Sequence, residues 1–73
     1  MKIPIEPVNI LGVPVHPCRM KDVLALVDKS VQSRESLHIG VVNAAKIANM
    51  RRDKELRESV LESDLILADG IAV

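Results

Sequence analysis

Hydrophobic positions follow two rhythms along the chain. From Val8 to Val15 (Val-Asn-Ile-Leu-Gly-Val-Pro-Val) β-branched residues dominate, punctuated by Gly12 and Pro14. This predicts a short strand, a tight turn or bulge, and a second short extended piece. Residues 1–7, broken by Pro4 and Pro7, form an irregular lead-in. From Met20 to Ser33 the period lengthens. Met20, Val23, Leu24, Val27 and Val31 fall at helical spacing and predict one helix with that face inward. Lys21, Asp22, Asp28, Lys29 and Gln32 occupy its other side. Arg19 stands at the cap position, where Ser, Thr, Asp or Asn would better satisfy the first N–H groups.

Leu37 to Val42 (Leu-His-Ile-Gly-Val-Val) is a short apolar run that reads as a buried strand ended by Asn43. Residues 44–63 are helical by propensity, but not as one helix. At about 100° per residue, Leu56 lies half a turn around from Ile47, so one straight helix cannot bury both against one sheet. Asp53 is a good cap at the phase break, with Glu55 in the turn that follows. Two helices are therefore expected, over 44–51 and 54–62. Asp64 to Ala68 is another apolar strand, closed by Asp69-Gly70.

The order β(β)–α–β–αα–β predicts an α/β fold with a mostly parallel sheet and crossover helices. Continuous apolar strands need cover on both faces, and three helices supply little of it. Residues 1–73 are thus expected to be the N-terminal part of one larger α/β domain. An incomplete sheet leaves a homo-oligomer open and predicts weak stability for the chain alone.

Composition narrows the function classes. The 73 residues carry ten basic and ten acidic side chains and no Phe, Trp or Tyr. Zero net charge argues against a nucleic-acid partner gripped by bulk charge, and the missing rings remove the platforms that stack single-stranded bases. One cysteine, Cys18, cannot form an internal disulfide, a zinc ribbon or a CxxC redox site. The first residues lack a signal-peptide core, and the longest strictly apolar run, Val23–Val27, is far too short to span a bilayer. A cytoplasmic location is expected.

In a βαβ unit the C-terminal ends of both strands share one sheet edge, and that edge is where open α/β sheets hold ligands. Asn43 and Asp69 each follow a strand. Asn43 also opens a helix whose free N–H groups suit a phosphate, and Gly70 keeps the space beside Asp69 open. Asp-Gly is equally ordinary turn chemistry and Asn an ordinary helix cap, and spacing leaves both open. His38 reads as a structural histidine in a strand, His16 as a surface or turn residue, and Cys18 as a small apolar group. Arg51, Arg52, Lys54 and Arg57 interleave with Asp53, Glu55 and Glu58, the pattern of a solvated helix face. The three glycines form no phosphate loop.

The series Asn9-Ile10-Leu11-Gly12-Val13-Pro14-Val15, an amphipathic helix, Val41-Val42-Asn43-Ala44, Asp53-Lys54-Glu55-Leu56-Arg57 and Ala68-Asp69-Gly70-Ile71 resembles the WecG/TagA/CpsF glycosyltransferase family. The likeness spans residues 8 to 73, and it rests on the order and spacing of the motifs together. It implies a Rossmann-like fold and an inverting transfer, with no cofactor and no DxD metal motif. The donor would be a UDP-sugar, N-acetylmannosamine or its uronic acid. The acceptor would be undecaprenyl-diphosphate-linked N-acetylglucosamine. The products would feed wall teichoic acid, common antigen or capsule, with the enzyme peripheral to the inner face of the cell membrane. The resemblance makes Asp69 the general base and puts Asn43 in the same pocket, with Gly70 beside them as substrate-binding residues. Three positions depart from the family pattern: Val41 replaces a Thr, Ala72 a Gly, and Arg19 the Thr that would cap the first helix. The alternative is a non-catalytic nucleotide-binding half-domain that folds only with a partner chain.

Overall fold

The structure, a computed structural model, describes residues 3–68. Strands β1 (Val8–Ile10) and β2 (Val13–Val15) pair antiparallel, with Val8 opposite Val15 and Ile10 opposite Val13. The two residues between them, Leu11 (φ 51°) and Gly12 (φ 87°), are both left-handed, the backbone of a tight hairpin turn. The Asn9 Oδ1 accepts the Gly12 N–H at 2.8 Å and steadies it.

Helix α1 (Met20–Ser33) follows, over the predicted span. Strand β3 (Ile39–Val42) leads through α2 (Ala44–Met50) and α3 (Lys54–Leu61) to β4 (Leu65–Ala68). The break between α2 and α3 falls where the phase argument put it, and Asp53 caps α3 by accepting the Leu56 N–H at 3.1 Å. Strands β3 and β4 pair in parallel, Ile39 beside Leu65 and Val42 beside Ala68.

The fold is therefore α/β, but its sheet is not the mostly parallel one expected. Among the described residues there is one parallel pair and one antiparallel pair. Proline explains the separation. In a two-residue hairpin the closing pair, Ile10 and Val13, is hydrogen-bonded, so alternation turns the missing N–H of Pro14 away from β1. That edge of β2 lies beside β4 and cannot form a regular ladder with it. His16 makes the join instead. Its N–H donates to the Ile66 carbonyl at 2.7 Å, and its Nδ1 accepts the Ile66 N–H at 3.0 Å.

One apolar cluster ties these pieces together: Val13 and Val15 from the hairpin, Val42 and Ile66 from the parallel pair, Ile47 and Met50 from α2, and Val60 from α3. Side-chain alternation puts Leu65 and Leu67 on the opposite face of β4. Helix α1 lies on that side. Its Val23 lines a cavity with Leu67, and Leu26 and Leu65 are the two buried residues outside the cluster.

Candidate functional site

The parallel register ends with Val42 beside Ala68, so the C-terminal ends of β3 and β4 form one lip. Asn43 is the next residue on β3, extended (φ −135°, ψ 178°) and exposed. Its Oδ1 accepts the Lys46 N–H at 2.8 Å, and its carbonyl accepts the Ile47 N–H at 2.9 Å. Asn43 is thus the N-cap of α2. Among the described residues its amide Nδ2, with two N–H donors, has no hydrogen-bond partner. Helix α2 has seven residues, and the cap takes the Lys46 and Ile47 N–H groups. Asp69 and Gly70, the other candidate site residues, lie outside the described residues, so the shared cleft expected for Asn43 and Asp69 is untested.

Lys46 is a lip residue that the sequence reading missed. Side chains on a helix lean toward its N-terminus, and in the first turn of α2 this brings the Lys46 Nζ back to the Val41 carbonyl, to which it donates at 3.1 Å. The contact parks an ammonium group at the end of β3. A lysine three positions after a capping Asn was the available signal. Val41, standing where the family pattern has Thr, is 45% exposed on the face opposite Val42.

The histidines differ from expectation. His38 is exposed and precedes β3, which starts at Ile39. Its backbone is held by Asp64, whose Oδ2 accepts the His38 N–H at 2.9 Å while the His38 carbonyl accepts the Asp64 N–H at 2.8 Å. His16 is half-buried and structural, not a surface turn residue. Because its Nδ1 accepts a hydrogen bond, the neutral ring carries its proton on Nε2.

Beside the lip is a cavity of about 850 Å³, bounded by the hairpin, the β2–α1 connection, the start of α1, and Leu67 and Ala68 at the end of β4. Its polar lining consists of His16, Cys18, Arg19 and Asp22. Burial pushes the Cys18 thiol above its ordinary pKa, and the nearby Asp22 carboxylate pushes in the same direction. Cys18 therefore stays a thiol and acts as a small packing group. The basic stretch, Arg51 and Arg52 after α2 and Lys54 and Arg57 on α3, is solvent-exposed, with an ion pair between Lys54 and Glu58 at 3.9 Å. Among the described residues no cluster of three or more His, Cys, Asp or Glu could hold a metal, and no helix is long and apolar enough to cross a membrane.

A parallel strand pair joined through helices, with Asn43 and Lys46 at its C-terminal ends and an apolar-walled cavity alongside, defines a protein of the α/β class. A family model described as the glycosyl transferase WecG/TagA/CpsF family matches residues 8–73, and the chain belongs to that family. It is a family of glycosyltransferases of cell-surface polysaccharide synthesis. No curated protein and no solved structure matches the chain.

Proposed function

We propose that this chain carries the base and part of the substrate lip of an inverting glycosyltransferase on a Rossmann-like fold. The sugar, N-acetylmannosamine or its uronic acid, comes from a UDP donor. It passes to undecaprenyl-diphosphate-linked N-acetylglucosamine at the inner membrane face. In the transfer the acceptor hydroxyl attacks the anomeric carbon, the bond from that carbon to the UDP oxygen breaks, and Asp69 takes the hydroxyl proton. The Nδ2 of Asn43, unpartnered among the described residues, donates to a substrate oxygen, with Gly70 leaving room beside Asp69. The Lys46 ammonium group offsets charge on the departing diphosphate.

The parallel register of β3 and β4 carries this reading. It makes 43 and 69 the positions that follow paired residues on neighbouring strands, and strand ends of this kind are where α/β sheets work. Asp69→Asn keeps size and hydrogen bonding but removes the proton acceptor. Sugar transfer from the UDP donor should fall by about 10²–10⁴-fold in turnover, with donor binding largely kept. Transfer at the parental rate would make Asp69 a turn residue.

Asn43 can be separated from its role as a cap. Asn43→Asp keeps an oxygen for the Lys46 N–H and removes both donors, so the donor KM should rise while the melting temperature stays put. Asn43→Ala should in addition cost about 1 kcal/mol of stability. If Asn43→Asp leaves KM unchanged, the residue is only a cap.

A further inference from the structure

Helix α1 presents apolar side chains to solvent in a regular row. Met20, Leu24, Val27 and Val31 are all exposed, and they follow one another at intervals of four, three and four residues. Those are the d, a, d and a places of a heptad, the pattern of a seam between two helices. At about 100° per residue the row is centred roughly 130° around the helix from the buried Leu26. The seam therefore points outward, and pairing through it leaves the existing packing in place.

The charges beside the row choose the partner. In this heptad Lys21 and Asp28 hold the e places, on the edge of the seam farther from Leu26, and both are exposed. Lys21 has no ion pair among the described residues. The Asp28 Oδ2 accepts from the Gln32 Nε2 at 3.2 Å, which leaves its other oxygen open. The g places, Val23 and Ser30, are half-buried and uncharged. When a second copy lies antiparallel, e places meet e places, so each Lys21 faces the partner's Asp28. The apolar layers then pair Met20 with the partner's Val31, and Leu24 with the partner's Val27. Laid parallel, Lys21 finds no acidic group and Asp28 lies against the partner's Val23. The outer edge of β3 suits self-pairing less well. The His38 carbonyl accepts from Leu65, so alternation turns the Val41 carbonyl to the outer edge, where the Lys46 ammonium group occupies it.

We propose that α1 is a self-association surface on which a second copy of this chain docks antiparallel, about a two-fold axis between Leu24 and Val27. The contact is closed by its own symmetry and stops at a dimer. With 14 residues, α1 offers a strip about 21 Å long and about 10 Å wide, well short of the ~800 Å² per partner of a stable interface. The dimer is therefore weak, with a dissociation constant on the order of 0.1 mM. Neither Asp69 nor a ligand takes part, so the pairing is independent of the transfer reading.

The test is sedimentation equilibrium of the full chain from about 10 µM to about 1 mM, where the average mass should rise from monomer toward dimer and no further. Leu24→Gln, a change at an exposed residue in the middle of the seam, should remove association. It should leave the melting temperature at about 10 µM, where the chain is monomeric, unchanged. Lys21→Asp places two carboxylates at each end of the seam, and Asp28→Lys two ammonium groups. Each acts at both ends and should weaken the dimer about tenfold. An equimolar mixture of these two variants sets opposite charges against each other again, and should dimerise within about threefold of the parent. A misfolded variant could not give that rescue. A monomer at every concentration overturns the proposal and leaves the row to another occupant. Assembly beyond a dimer, association that survives Leu24→Gln, or a dimer indifferent to the charge variants overturns it equally.

Discussion

Arg19, Asn43 and Asp53 occupy the same position at the start of three helices, and their side chains behave differently. Asn43 and Asp53 each accept the N–H three residues on. Arg19 cannot, and Asp22 reaches back to the Arg19 N–H instead. The two working caps were legible because a cap needs only a short side-chain oxygen and a few residues of context. The role of His16 was not legible. Its partner Ile66 is fifty residues away, and no local pattern announces it. The end of α1 holds a correctable strain. Arg34 is left-handed (φ 58°) so that its N–H and that of Glu35 can reach the Val31 and Ser30 carbonyls. A side chain with a Cβ resists that backbone. Arg34→Gly should therefore stabilise the protein by about 1 kcal/mol, read as a higher urea midpoint at unchanged slope. A lower midpoint would mean that the Arg34 side chain contributes more than its backbone costs. The raised pKa of Cys18 makes a second prediction at this scale. Alkylation by iodoacetamide should be slower at neutral pH than for a free cysteine, with its rate inflecting at higher pH.

Among the elements, the helices were read almost to the residue, because apolar period and phase are local properties. Strands β3 and β4 were also found, each one or two residues shorter than expected. Strand pairing was less legible. Two short extended pieces separated by Gly could be a hairpin or a bulged strand, and the positive φ of Leu11 decides for the hairpin against its own propensity. The join between β3 and α3 was hidden too. Gly40 has ordinary strand neighbours in sequence, yet a Cβ there would sit 2.7 Å from the Ser63 Oγ and 3.2 Å from its Cβ. Gly40→Ala should therefore cost roughly 1–3 kcal/mol through overpacking. Adding Ser63→Gly should recover much of that loss, because the clash is with that side chain. Equal losses in the single and double variants would place the cost in the Gly40 backbone.

At the scale of the whole molecule, the expected inward face of α1 is mostly outside. Met20 is 71% exposed, Leu24 60%, Val27 38% and Val31 71%, while Leu26 is 5% exposed. The half-buried neighbours of Leu26 are Asp22, Val23 and Ser30, so the covered strip is turned by about one residue, or roughly 100°. Periodicity had offered a wide apolar stripe. A pair of strands about 4.8 Å apart is barely as wide as one helix, and covers only a narrow strip of it. The covered strip is the one around Leu26, and Leu65, on the face of β4 turned away from the main cluster, is fully buried. This makes the contribution of α1 to stability depend on very few side chains. Leu26→Ala leaves a cavity in a closed site and should cost about 2–4 kcal/mol. Leu24→Ala removes a side chain already in water and should cost less than about 1 kcal/mol. A 73-residue chain is expected near the lower end of the roughly 5–15 kcal/mol range of native stabilities. Leu26→Ala should then leave a visibly populated unfolded fraction without denaturant, and Leu24→Ala should melt almost like the parent. Circular dichroism during urea titration separates the two cases. If Leu24→Ala proves the more damaging, α1 rests on its wide stripe and the narrow sheet does not set its orientation.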